Sequence, residues 1–285
     1  MSARTLQTLV KASPVSEGAG VTVHRTLGTE TLRRLDPFLM LDHFSSNDPN
    51  DYIAGFPDHP HRGFITFTYM LDGHMLHQDS MGNRGDLRAG GAQWMKAASG
   101  VIHSEMPQQS DGLMRGFQLW INLPAAQKMS DPAYQEFSPE AIPEVREAGA
   151  RVKILSGGYG GVLGPIVDPY TQMQYLDVSL EADRSFNWTL SADDTAFIYI
   201  FEGSASLGDE ALPQHSLAVL NAGDSAVLRA GSQGARAILV AGKPLNEPIV
   251  QYGPFVMSST AEVEQALNDY RHNRLVQKKP SRIGA

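Results

Sequence analysis

Short runs of alternating or β-branched residues recur along the chain, set apart by glycines and prolines. Phe64 to Leu71 reads as a strand closed by the turn Asp72-Gly73. Phe117 to Leu123 alternates apolar and polar positions and stops at Pro124, and Arg151 to Leu155 does the same before Gly157 and Gly158. Ala196 to Phe201, Ser225 to Leu228 and Ala237 to Val240 complete the series. Many short strands with turn residues between them predict an all-β chain of barrels or sandwiches. One helix is expected, near the end. Ser259 and Glu262 have the spacing of a capping box, and Val263, Ala266, Leu267 and Tyr270 then fall on one apolar face.

The pattern also repeats. Tyr69 to Gly73 resembles Tyr199 to Gly203, an apolar strand ending in an acid-Gly turn 130 residues later. Gly91 to Met95 and Gly223 to Val227 stand 132 apart. The two offsets predict a duplicated β-unit with a boundary between Ser130 and Ala150, giving domains 1–135 and 136–285. The second would end in a helix over 260–272 and a basic tail. That tail, from Arg271 to Ala285, carries five Lys or Arg and no acid, and is read as a frayed terminus.

Composition narrows the chemistry. At 285 residues, 42% hydrophobic and 19% charged, the chain is globular rather than disordered. Its net charge of −8 opposes direct nucleic-acid binding. With no cysteine there is no disulfide, thiolate metal site or cysteine nucleophile, so any metal must be held by His, Asp or Glu. No run approaches the ~18 apolar residues of a membrane span, and Met1 to Val10 lacks a signal-peptide core. A cytoplasmic, monomeric protein without membrane contact is expected.

Five of the nine histidines fall between positions 59 and 103. In His59-Pro60-His61 and His103-Ser104-Glu105 the ligand-type residues are two apart. On an extended strand such residues face the same side, roughly 6.5–7 Å apart. If the two strands are neighbours, three imidazoles and a carboxylate converge. That donor set suits iron, nickel, copper or manganese better than magnesium or calcium. An octahedral ion held this way keeps two positions for water, dioxygen or substrate. His74 and His77 sit three apart and would face opposite sides of a strand, and both are read as exposed. His24, His43, His215 and His272 stand alone and are read as structural, and Trp94, Met95, Phe64 and Trp120 as mostly barrel packing. Asp58, Arg62 and Gln118 are candidates to support the ligands from behind. The glycines from Gly157 to Gly164 run into Pro165 rather than a helix, which excludes a dinucleotide loop.

The segments Phe56 to Phe64, Asp79 to Gly85, Gln93 to Met95 and Gly100 to Pro107, with Arg33 to Asp42 and Gly253 to Met257, resemble the pirin family. The resemblance runs from about residue 20 to 270. It implies a bicupin: two jelly-roll-type cupin β-barrels facing each other, with iron in the N-terminal one alone. The family's four ligands carry over onto His59, His61, His103 and Glu105. One departure is Ile65, where many cupins have Glu, and a more apolar pocket wall is expected there. In the second half the offsets land on Thr189, Ser191, Ala235 and Ala237, none of which binds metal.

The resemblance implies an iron-dependent quercetin 2,3-dioxygenase-like activity on a small aromatic substrate such as a flavonol. Ferrous iron is the expected cofactor, with nickel, copper, manganese or zinc as alternatives. Dioxygen would be the co-substrate and carbon monoxide a product, with Glu105 as catalytic residue able to take the flavonol proton. The alternatives are an iron-binding regulator that binds a protein partner, as pirins also do, and a metal-dependent isomerase.

Overall fold

The structure, a computed structural model, describes residues 2–277, so Lys278 to Ala285 of the basic tail lie outside the described residues. Within it, Leu275 is buried, which anchors the first part of that tail rather than leaving it frayed. Strands dominate, and among the described residues Thr260–Arg271 is the one α-helix. The expected strands form and extend a little: Phe64–Asp72, Met114–Asn122, Ala150–Ser156 and Thr195–Leu207. The runs at 225–228 and 237–240 are parts of one strand, Ser225–Gly242. Small residues from Ala230 to Ala235 interrupt its hydrophobic signal, yet its early part pairs with Ser185–Thr189 and its later part with Gln174–Leu180.

The chain divides into two compact units, each discontinuous in sequence. One comprises Met1–Ser13, His24–Pro37 and Glu140–Pro244, and the other Pro14–Val23, Phe38–Pro139 and Leu245–Ala285. The division after Pro139 falls near the expected cut, but the chain ends do not follow it. This grouping differs from the expected 1–135 and 136–285 at both ends: the N-terminal strand groups with residues 140–244 and the C-terminal helix with residues 38–139.

Specific contacts account for both exchanges. Leu6–Lys11 pairs with Ser216–Leu220. The Arg4 guanidinium donates to the carbonyls of Gly223, Asn221, Ser191 and Asp194 within the same unit. At the other end, the helix is capped as expected. Ser259 accepts from the Glu262 N–H, and the Glu262 side chain accepts from the Ser259 N–H. Its buried positions are Val263, Ala266 and Asp269, whereas Tyr270 is 40% exposed. Asp269 is the surprise: it meets the buried Arg62 at 2.9 Å. A polar residue on the buried face is invisible to a hydrophobic pattern.

In the 38–139 unit two antiparallel sheets enclose one core. The centre of the larger runs in the order Ala133–Phe137, Ala92–Lys96, Phe64–Asp72, Met114–Asn122, Phe38–Ser46, and the smaller Phe56–His61, Val101–Pro107, His74–Asp79, Arg84–Arg88. Phe44, Met70 and Met114 of the larger sheet pack with Met75 and Leu87 of the smaller. In the other unit Val152, Ile154, Leu176, Val178, Phe186 and Trp188 are among the residues of one apolar core.

The C-terminal segment clamps the start of strand Phe64–Asp72. Arg62 donates to the carbonyls of Ser99 and Leu275 as well as to Asp269. The buried Lys128 ammonium donates to the carbonyls of Gly63 and Val256 and to Asn122, and burial pulls its pKa down to about 8. Between them Gly63 has φ +88°, and a Cβ there would lie 1.9 Å from the Val256 carbonyl oxygen. Gly63→Ala is expected to cost roughly 2–4 kcal/mol, because the conformation is strained and the backbone must also move. Gly112→Ala, at φ +86° with open space around it, should cost only about 1 kcal/mol. Chemical denaturation of the two variants measures the difference.

Candidate metal centre

Strand Phe56–His61 lies antiparallel to Val101–Pro107, with His59 opposite His103 and His61 opposite Val101. The register then slips, so that Glu105 faces Phe56. A bulge of this kind re-aims side chains and is common beside functional sites. On its other edge Val101–Pro107 pairs with His74–Asp79, setting Asp79 opposite His103 and His77 opposite Glu105.

The three expected imidazoles come together. Ring centroids are 4.7 Å apart for His59 and His61, 4.3 Å for His59 and His103, and 4.9 Å for His61 and His103. Their ligand atoms all lie within 4.8 Å of one another, and a second group with the same spacing joins His103 to Glu105 and His77. His103 is thus common to both groups. His61, His103 and Glu105 are each at most 2% exposed.

Buried polar atoms without a partner are rare and costly. Both ring nitrogens of His61 and Nε2 of His103 are such atoms. His59 donates from Nδ1 to the Pro57 carbonyl at 2.8 Å, leaving Nε2 as the acceptor nitrogen. A metal ion is the partner that fits this set of buried, partnerless imidazole nitrogens beside a carboxylate. Burial, reinforced by His59, holds the His61 pKa well below its ordinary value. The Pro254 carbonyl pulls weakly the other way without making a hydrogen bond of acceptable geometry. Burial and the neighbouring His61, His59 and His77 do the same to His103.

Glu105 is held differently. Its Oε1 accepts from Thr68 at 3.1 Å and Gln93 at 2.7 Å, and its Oε2 from Gln118 at 2.7 Å. The Gln118 amide is oriented in turn by the Trp120 indole, which donates to it, while the Tyr134 hydroxyl beside Gln93 donates to Glu136 at 2.6 Å. These donors come from strands of the larger sheet, so the carboxylate spans the space between the two sheets.

Other sequence readings separate. Gln118 does support a ligand. Asp58 is exposed and Arg62 is turned towards the C-terminal segment. Phe64, Trp94 and Met95 are buried, while Trp120 is half-buried, 4.3 Å from Phe64 and 5.2 Å from His61 by ring centroid. Ile65 does not line the pocket: Phe64, against His61, and Thr68, bonded to Glu105, have the opposite parity on the strand. His74 is partly exposed and bonded to Asp86, but the reading of His77 as exposed is overturned. It is 1% exposed and packs on His103 and Tyr134. Strand parity allowed one of the two to face inward, and the pairing with Val101–Pro107 decides that it is His77. Thr68, Gln93 and Asp79 carried no signal of their own, because their partners lie on other strands. The lone histidines have packing places: His24 stacks on His215, His43 on Phe117, and His272 bonds the Asn268 carbonyl at the helix end.

In the 140–244 unit Ser185–Thr189 pairs with the start of Ser225–Gly242, Thr189 opposite Ser225, so the strand beside Thr189 presents residues near 225 rather than the alanines at 235 and 237 that the sequence offset indicated.

With the geometry in place, the chain's relatives can be compared. The family model described as Pirin matches residues 20–121, and the Pirin C-terminal cupin domain matches residues 175–276. A Pseudomonas aeruginosa protein carrying the provisional name quercetin 2,3-dioxygenase is 48% identical over 266 residues, 90% of this chain and 93% of that one. The solved structure of quercetin 2,3-dioxygenase from Acinetobacter baumannii superposes with a TM-score of 0.89 at 29% identity, covering 96% of this chain and 99% of the other. A bacterial pirin from Escherichia coli, solved in complex with nickel(II), shares the fold at a TM-score of 0.66 and 19% identity, covering 83% of this chain and 98% of that one. Two cupin domains, a cluster of His and Glu able to hold a metal, and matches along nearly the whole chain agree: the protein belongs to the pirin family.

Proposed function

We propose that the chain is an iron-dependent dioxygenase that opens a flavonol such as quercetin with dioxygen and releases carbon monoxide. The observation that carries this reading is the set of buried, partnerless imidazole nitrogens of His61 and His103 beside a carboxylate held by three donors. His59, His61, His103 and Glu105 are the proposed ligands. An iron ion held by them supplies Lewis acidity towards a substrate oxygen and one-electron chemistry with dioxygen. The similarity to proteins named quercetin 2,3-dioxygenase supports the substrate class.

The protein's own groups have definite tasks in this reading. Glu105 Oε1 carries two hydrogen bonds and Oε2 one, so Oε2 has one remaining acceptor position, which would hold the ion or, once released from it, accept the proton of a flavonol hydroxyl. Gln118, oriented by Trp120, holds Oε2 in place while it does so. The half-buried Trp120, backed by the buried Phe64, offers an aromatic face beside His61 for a flat, apolar substrate. Buried walls exclude water that would compete with dioxygen. The cytoplasm is the proposed location, and among the described residues no helix is long and apolar enough to cross a membrane.

Metal analysis tests the centre directly. His103→Ala and Glu105→Ala should each lose most of their bound iron after anaerobic loading, and full retention by both removes the assignment. Turnover tests the chemistry. Quercetin added to the iron-loaded protein should drive oxygen uptake with matching carbon monoxide release. Absence of turnover with every flavonol, together with iron-dependent capture of a protein partner, favours the regulator instead.

Acid provides a third test, on the metal-free protein. His61 and His103 are held neutral in the fold, with pKa values below the 6.5 of an unperturbed imidazole. The unfolded chain therefore binds protons first as the pH drops through 6.5, and stability falls from there downward. The denaturation midpoint should be clearly lower at about pH 5.5 than at about pH 7, a window above most carboxylates and below the range in which Lys128 titrates.

A further inference from the structure

His103 differs from the other two imidazoles in having a second histidine behind it. Its Nδ1 lies 3.3 Å from Nδ1 of His77, and Nε2 of His77 lies 3.3 Å from Oδ2 of Asp79. Both nitrogens of His77 are thus engaged, and its ring is stacked on Tyr134 with centroids 4.8 Å apart. This occupancy argues against His77 as a ligand, although it shares a cluster with His103 and Glu105.

The far end of the row is fixed. Asp79 Oδ1 accepts from the backbone N–H groups of Met81 at 2.8 Å and Asn83 at 3.0 Å, and Oδ2 accepts from the Asn83 side chain at 2.8 Å. With backbone donors aimed at it, the carboxylate can only accept from His77, so the proton of His77 sits on Nε2. Its Nδ1 is then a lone pair. Two lone pairs facing each other at this distance repel, so His103 must carry its proton on Nδ1. That leaves His103 Nε2, the buried nitrogen with no partner, as a bare lone pair.

We propose that Asp79 and His77 are positioning residues that lock His103 in the tautomer able to bind the ion through Nε2. The proposal rests on His103 being a ligand. In the general case a ligand histidine gives its other N–H to a carboxylate or carbonyl, and losing that partner costs metal affinity. His59 follows that pattern with the Pro57 carbonyl. For His103 the carboxylate acts one ring further away, and an intervening imidazole relays its acceptor character.

A one-atom change inverts the row. In Asp79→Asn the side chain can keep accepting from the Met81 and Asn83 N–H groups while turning an amide donor towards His77. Every proton along the row then shifts, and His103 becomes protonated on Nε2. The tautomers are read by two-bond proton–nitrogen correlation spectra of metal-free protein labelled at histidine nitrogens, with His103 assigned by its missing signals in His103→Gln. Zinc affinity is measured alongside by competition with a chelator.

Wild-type His103 should show a protonated Nδ1 and a bare Nε2. Asp79→Asn should move the proton to Nε2 and weaken zinc by roughly 10–100-fold. His77→Leu, which removes the acceptor altogether, should release the tautomer and weaken zinc similarly. A wild-type His103 protonated on Nε2 overturns the proposal, as does an unchanged tautomer with unchanged affinity in both variants. Zinc-loaded spectra showing His77 bound to the ion overturn it too. Wild-type protein that takes up no zinc or iron overturns the metal centre itself, an outcome distinct from the spectra of the metal-free form.

Discussion

The antiparallel pairing of Phe56–His61 with Val101–Pro107 is the constraint on which the centre depends. Residues opposite each other across such a ladder present their side chains to one face, with Cβ atoms about 5 Å apart. Setting His59 against His103 therefore brings two imidazoles together whatever else surrounds them. His61 joins from the same strand by the two-residue period. A slip of one residue would turn all of these side chains to the opposite face. The bulge before Glu105 is the one permitted irregularity, and it brings the carboxylate opposite Phe56, within reach of donors from the larger sheet.

Two kinds of group are held there in opposite electrostatic states by different means. His61 and His103 are kept neutral by burial and by the neighbouring imidazoles, with nitrogens left partnerless. The carboxylate accepts from three donors, of which Gln118 is itself oriented by Trp120. Such a pocket is costly to the fold, since partnerless buried atoms destabilise it. The surrounding scaffold is correspondingly tight. Arg62 and Lys128 bind backbone carbonyls on either side of the start of strand Phe64–Asp72, and Gly63 admits the Val256 backbone at a distance that no other residue would tolerate.

Family membership accounts for the two cupin domains, while chemistry belongs to the site. The 140–244 unit builds an antiparallel ladder of its own, between Ser185–Thr189 and the start of Ser225–Gly242, and sets Thr189 opposite Ser225 there. Phe64 and Trp120 pack against His61 from the larger sheet, because strand parity turns them towards the smaller sheet that carries the imidazoles.

Local signals were enough for much of this. Alternation and turn residues marked the strands, Ser259 and Glu262 marked the helix start, and the two His-x-His and His-x-Glu spacings marked the four proposed ligands, because each depends on residues within a few positions of one another. What the tertiary structure decided are relations between distant segments. His77 looked exposed until its strand was paired with Val101–Pro107. Thr68 and Gln93 became partners of Glu105 only when the sheets closed over it. Asp269 broke the helix's apolar face to meet Arg62, 207 residues away in the chain. The terminal segments exchanged units for the same reason. Periodicity reports which side of an element is buried, whereas hydrogen bonds and ion pairs report what it is buried against, and that information exists only once the chain has folded.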